Sequence, residues 1–395
     1  MWELEQKVEE LVNKYIEESE AVCVNADQVG LDFRCGMVYV SVTDDFVAVS
    51  GGGSSINYYG GFEYIDSDYI TTIGHMTFYS GEHSRVRDAI DYYKENTENN
   101  GLYSSCFEKD SCGFGLIANM DNKPSHWVIQ TSIQALQRLT HRGAIADDGK
   151  TSDGCGLLIK KPNLFCKKIA KSMGISIENS YCFGTVFLNK DPKEQKKAKE
   201  TLLFQLRKQG LVVEGWRKVP INKKVCGKEA LKNMPDIQQI IVTADKKILE
   251  NDFEKKLYVA RIQSEKILFE DDAFYISSLS SRVISYKGLI ISDNIKEFYS
   301  DLCDKDMKSS LCVFHQRFST NTMPQWKLAQ PFRYLAHNGE INTIQGNRHW
   351  YFARRKKLKI DALPELEKLH PLVSERDSDS CTLDNMLELL LAGDM

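Results

Sequence analysis

Nowhere in these 395 residues does an apolar run approach the ~18–20 residues needed to cross a bilayer, so no membrane span is expected. The basic start and apolar continuation of a secretory signal are missing too. Met1-Trp2-Glu3-Leu4-Glu5 is acidic and amphipathic, and the expected compartment is the cytoplasm. Eleven cysteines are an odd number and hold no C-x-x-C pair, which argues against a disulfide framework and a zinc ribbon and for reduced thiols. No two histidines have metal-ligand spacing on a helix, so no metal site is expected. Gly51-Gly52-Gly53-Ser54-Ser55 lacks the following Lys-Ser/Thr of a phosphate loop and reads as a turn. Internal repeats and low-complexity tracts are absent.

What remains is an ordinary folded composition, 42% hydrophobic and 27% charged, in a chain long enough for two or three domains. The net charge of −4 hides an asymmetry: residues 1–101 carry 19 Asp+Glu against 6 Lys+Arg, and the rest is net basic. So sharp a break marks two units. The basic run Arg354-Arg355-Lys356-Lys357 reads as a solvated helix face, and direct nucleic-acid binding is not expected.

Apolar residues at Leu4, Val8, Leu11, Val12, Tyr15 and Ile16 have helical spacing. From 21 to 79 the pattern becomes short β-branched and aromatic runs (Val38–Val42, Phe46–Val49, Ile70–Ile73) between glycine turns, an antiparallel sheet. A helix at 82–95 follows, then a polar stretch. This predicts a small acidic α+β domain over 1–96 and a linker with pro-segment over 97–111. Beyond it, 112–395 reads as strands flanked by helices, a layered α+β architecture. Helices are expected at 124–140, 192–209 and 383–391. Strands are expected at 157–159, 181–188, 211–215, 238–243, 256–260, 273–277, 286–290, 311–315 and 332–337.

Four segments carry the chemistry: Cys112-Gly113-Phe114-Gly115, His315 through Thr322, Ala336-His337-Asn338-Gly339-Glu340-Ile341-Asn342, and Ser378-Asp379-Ser380. Each alone has a bland reading as packing, surface cation, turn or cap. Together they supply parts for amide hydrolysis, which needs a nucleophile, oxyanion donors and anchors for a charged substrate. Cys112 fits the nucleophile and Asn338-Gly339 the donor pair. The planar fork of Arg317 suits a carboxylate, and Asp379 an ammonium. A base is the missing member.

Here a resemblance enters. Asp110 through Ala118, His141-Arg142-Gly143-Ala144, Phe314 through Thr322, Leu328 through Thr343 and Asp384 through Leu391 resemble the N-terminal part of the glutamate synthase large (α) subunit, its class II glutamine amidotransferase domain. The likeness runs from about Leu102 to Met395; nothing is recognised before it. It implies an N-terminal-nucleophile (Ntn) hydrolase αββα sandwich, incomplete here, behind the small acidic α+β domain. It further implies that Cys112 is the nucleophile and that its own α-amino group, freed by removal of a pro-segment, is the base. Asn338 and Gly339 would form the oxyanion hole, Arg317 would hold the glutamine α-carboxylate, and Asp379 its α-amino group. Glutamine would yield glutamate and ammonia. The partners implied are glutamine, the rest of the large subunit and the small subunit. The FMN and iron–sulfur cluster of the full enzyme are expected to lie outside this chain, which needs no cofactor of its own.

The chemistry agrees with that assignment. A thiol of pKa ~8.5 beside an amine of pKa ~7.7–8.0 can give it a proton near neutrality, whereas a peptide nitrogen accepts none. The chain with Ser111 still bonded to Cys112 is therefore expected to be inactive. Two positions depart from the family pattern: Ser152 and Asp377 stand where glycine is usual. The alternative reading is an inactive precursor or fusion whose acidic domain binds a basic protein partner or mimics nucleic acid.

Overall fold

A computed structural model describes residues 113–395, apart from 178–179, 245–247, 318–322, 340 and 374–376, and before them five short strands. The chain divides into two compact units, Met1–Lys123 and Pro124–Met395. In the first, β1 (Met37–Val38) pairs antiparallel with β2 (Val49–Ser50). Strands β3 (Glu63–Ile65), β4 (Asp68–Ile73) and β5 (Met76–Ser80) form an antiparallel meander in that order. The helices expected at 2–20 and 82–95 and the linker lie outside the described residues. Strand β6 (Phe114–Ala118) alternates half-buried and buried positions, as a strand with two unlike faces must.

The second unit is built on two antiparallel sheets. One runs β11 (Tyr275–Ser278), β8 (Tyr181–Leu188), β10 (Asp236–Ala244), β9 (Leu211–Lys218). In the other, β12 (Val283–Gly288), β7 (Cys155–Lys160) and β13 (Leu311–Gln316) lie side by side. Every residue of β8 is buried because both its faces are covered. Cys182, Val186 and Leu188 face one way, with Ile240 and Val242 of the paired strand beside them. They meet helices α3 (Pro192–Lys208) and α4 (Glu250–Ile267) through Ala198, Leu202, Leu206, Phe253, Leu257 and Ala260. Burying each large apolar side chain in this cluster contributes about 1.5–3 kcal/mol.

The opposite face of that sheet looks onto the second sheet, and polar groups are mixed with apolar ones in the layer between them. Ser277 and Ser285 hydroxyls meet at 2.6 Å, Gln239 Nε2 donates to the Tyr286 hydroxyl at 3.3 Å, and that hydroxyl donates to Asp301 at 3.1 Å. Phe187 packs edge-on to Trp326. Helix α1 (His126–Arg138), capped by the Ser125 hydroxyl, lies against β13, and α2 (Asn163–Ser172) follows β7. The outcome is helices, two sheets and helices again, the mixed α+β architecture of an Ntn-hydrolase sandwich. A second cluster joins Tyr258 and Ile262 of α4 to Ile360, Leu363, Leu366, Leu369, Leu372 and Leu389, and so fixes the C-terminal segment.

Two strand expectations are corrected. Residues 256–260 lie inside α4, where Phe253, Leu257, Tyr258, Ala260, Arg261 and Ser264 are buried at helical spacing. The β-like run Leu257-Tyr258-Val259 is outweighed by an 18-residue amphipathic period. Residues 332–337 are irregular; the Arg333, Tyr334 and His337 N–H groups go to side chains, and the Phe332 N–H to the Leu335 carbonyl, rather than to a ladder.

Candidate active site

The site grows from the loop 329–343 and from two elements that grip it. The Gln330 side chain brackets residue 337: its Nε2 donates to the His337 carbonyl at 2.7 Å and its Oε1 accepts the His337 N–H at 2.9 Å. His315, at the end of β13, donates from Nε2 to the same carbonyl at 3.1 Å. Burial pushes His315 down to about 3, so its ring is neutral and acts here as a fixed donor, not as a proton shuttle.

Helix α5 (Asp379–Ala392) is the second anchor. Ser378 caps it, its hydroxyl accepting the Cys381 N–H at 3.1 Å. In its first turn Asp379 accepts the Ile341 N–H through Oδ2 at 2.8 Å, and the Ser380 N–H through Oδ1 at 2.6 Å. These two backbone donors and the start of the helix fix the direction in which the carboxylate points. One and a half turns on, fully buried Asp384 accepts the Arg333 and Tyr334 N–H groups at 3.3 and 2.9 Å. Arg333 in turn donates to the Ile276 carbonyl of β11 and to Glu265 of α4. Burial acts against the Asp384 carboxylate, and Arg333 acts to keep it charged.

Gly339 stands where these parts meet, at φ +96°, a left-handed conformation that favours glycine. A Cβ there would sit 3.6 and 3.7 Å from the two Asp379 carboxylate oxygens. Its N–H donates to His337 Nδ1 at 2.9 Å. Asn338, beside it, is exposed. Arg317 follows β13, donating its backbone N–H to Gly154 at 2.8 Å, and only 6% of its surface is exposed. Burial works against its guanidinium, and the carboxylates of Asp153 and Asp379 act to hold the charge. Asn338, Gly339 and Asp379 therefore share one corner, with Arg317 in electrostatic reach of it. Cys112 lies outside the described residues; Gly113, next to it, is buried.

The buried thiols of the unit are poor nucleophile candidates. Burial pushes Cys166 and Cys312 up to about 12 and Cys226 to about 11, so these are thiols, not thiolates, at neutral pH. Among the described residues no group of three or more His, Cys, Asp or Glu is arranged to hold a metal ion, and no helix is long and apolar enough to cross a membrane. Ser152 is not at positive φ, so its backbone does not call for the glycine it lacks. The Ser152 hydroxyl instead braces its loop, donating to the Ile290 carbonyl at 2.6 Å.

The two-sheet sandwich is of the Ntn-hydrolase type, and in it an Asn-Gly corner sits against a helix-borne aspartate. The family model for class-II glutamine amidotransferases matches residues 112–395, beginning at Cys112, and the chain belongs to that family. Among relatives, the glutamate synthase [NADPH] large chain of Bacillus subtilis (strain 168) is 39% identical over 302 residues, 76% of this chain and 20% of that protein. Ferredoxin-dependent glutamate synthase 2 of Synechocystis is 40% identical over 288 residues, 72% of this chain and 18% of its own. The glutamate synthase [NADH] of Saccharomyces cerevisiae is 38% identical over 303 residues, 73% and 14%. The chain thus spans a fifth or less of the length of these relatives.

Sequence reasoning named the corner residues but missed what holds them. Gln330, Arg333, His337 and Asp384 sit inside or beside the motifs, yet only the folded loop shows that their side chains bind its backbone. Asp153 comes beside Arg317 through the Arg317–Gly154 backbone bond, and its carbonyl accepts from the guanidinium at 3.4 Å.

Proposed function

We propose that this chain carries the glutaminase half-reaction of a glutamate synthase, splitting glutamine into glutamate and ammonia. The observation that carries the reading is the family match that starts at Cys112, joined to the corner formed by Gly339, Asp379 and Arg317. In this reading the α-amino group freed by cutting before Cys112 takes the thiol proton, and the thiolate attacks the side-chain amide carbon. Asn338 and Gly339 donate to the oxyanion that forms. The protonated amine gives its proton to the departing nitrogen, which leaves as ammonia. Water, relieved of a proton by the same amine, then cleaves the thioester and releases glutamate. Arg317 holds the substrate carboxylate, and Asp379 its ammonium; the two opposite charges, set apart, select an α-amino acid.

The domain division we propose is an acidic unit over 1–96, a linker and pro-segment over 97–111, and the amidotransferase over 112–395. In a longer protein of the glutamate synthase kind, the ammonia would pass to a synthase site with its own flavin and iron–sulfur groups, and the small subunit would be a further partner. Nothing in 112–395 is assigned to hold those groups, and no step here runs through them. We place the protein in the cytoplasm. The test is covalent. After cleavage before Cys112, an electrophilic glutamine analogue is expected to add one equivalent, mapped by mass to Cys112 and blocked by excess glutamine. A label mapped to any other cysteine would overturn the assignment.

A further inference from the structure

The Gly339 N–H, assigned above as an oxyanion donor, is occupied in this structure: it donates to His337 Nδ1 at 2.9 Å. The bond spans two residues and closes a turn of the kind that Asn and Asp side chains make with the N–H two positions on. It holds Gly339 at φ +96° against the Asp379 carboxylate. The ring itself is set on the far side. Its residue's N–H and carbonyl are both gripped by Gln330, and the carbonyl also by His315. The Ser380 hydroxyl lies 3.1 Å from the same Nδ1 and 3.2 Å from Asp379 Oδ1. With Nδ1 filled by the glycine N–H, the serine proton goes to Asp379. One turn, one hydroxyl and one carboxylate are thereby set in register.

We infer that His337 is a positioning residue that keeps the Gly339 donor aimed and yields it to the reaction. This rests on the proposed oxyanion hole. A neutral imidazole nitrogen is a fair acceptor, comparable with the neutral amide carbonyl of bound substrate, and the exchange between them gains little. An oxyanion is a far stronger acceptor, because hydrogen bonds to charged groups are roughly twice as strong as neutral ones. The N–H therefore changes partner as negative charge develops on the carbonyl oxygen, and returns to His337 when the charge is lost. The bond to His337 is made in the ground state and given up in the transition state, so it aids turnover only by holding the Gly339 turn in place until charge develops. It also spares Gly339 the cost of an unpaired N–H between turnovers.

Two measurements test it. In the full uncut chain labelled with nitrogen-15, a coupling across the hydrogen bond between the Gly339 amide nitrogen and His337 Nδ1 is expected. Exchange of that amide with solvent should quicken about tenfold in H337F, which has no acceptor, and stay slow in H337N, whose side-chain oxygen can close the same turn. No coupling, or equal protection in H337F, overturns the inference. In the chain cut before Cys112, kcat should fall about tenfold in H337F with KM little changed, and recover in H337N. H337N as impaired as H337F overturns the inference. Failure of the underlying reading has a different signature: N338A would then leave kcat unaltered, while the coupling and exchange results stand. If H337F misfolds, H337L takes its place.

Discussion

Asp379 is the residue on which charge and geometry bear most directly. Its carboxylate is fixed by the Ile341 and Ser380 N–H groups and by the start of a helix, so it keeps one orientation before any substrate arrives. D379N removes the charge and keeps only one of the two oxygens that accept backbone N–H groups. For the cut chain, KM for glutamine is expected to rise about ten- to a hundredfold, the cost of leaving an ammonium unpaired, with a melting temperature lowered by the one lost backbone bond. An unchanged KM would remove Asp379 from substrate binding. At this scale the site was largely legible: Asn338, Gly339, Arg317 and Asp379 stand out as residue types suited to oxyanion and zwitterion. The contribution of His337 was not legible, because a histidine before Asn-Gly has no local signature until the loop folds and brings its Nδ1 to the glycine N–H.

Among the elements, strand β12 carries Lys287 into the layer between the sheets, where its ammonium donates to the Lys327 carbonyl at 3.1 Å and only 1% of the residue is exposed. Burial, helped by Arg333, pushes it down to about 7. An unfolded lysine titrates near ~10.4. Between these values the unfolded chain holds a proton that the folded chain has lost, so stability rises with pH from about 7 towards 10 and is lowest at and below neutrality. K287M is expected to raise the melting temperature at pH 6 and to flatten that rise; an unaltered pH slope would contradict it. Helices α4 and α5 are joined by buried Arg261, paired with Glu388 and Glu265. E388Q leaves part of that guanidinium uncompensated and should cost about 3 kcal/mol, read from the urea midpoint.

Most elements of the second unit were foreshadowed by pattern. Strand β8 and helix α3 fall within a residue of their expected bounds, because an unbroken apolar run and a Lys/Glu-rich amphipathic period are strong local signals. Pattern failed where local and global signals compete. Leu257-Tyr258-Val259 has strand chemistry inside a helix-length period, and Phe332–His337 has strand composition but gives the Arg333, Tyr334 and His337 N–H groups to the Asp384 and Gln330 side chains.

For the whole molecule the informative fact is charge and order along the chain. An acidic stretch precedes a family match that opens at a cysteine, and the cysteine is bonded to Ser111. An acylated nitrogen cannot accept the thiol proton, so the proposed base is created only by cleavage of that bond. The acidic stretch is read as a passenger or a partner-binding unit, and a partner held by its charge would dissociate as salt is raised. The most direct measurement is ammonia release from glutamine by one preparation before and after cleavage between Ser111 and Cys112, with C112A as control. The account expects no release from the uncut chain, release from the cut chain, and none from cut C112A. Turnover by the uncut chain at the rate of the cut one would contradict it.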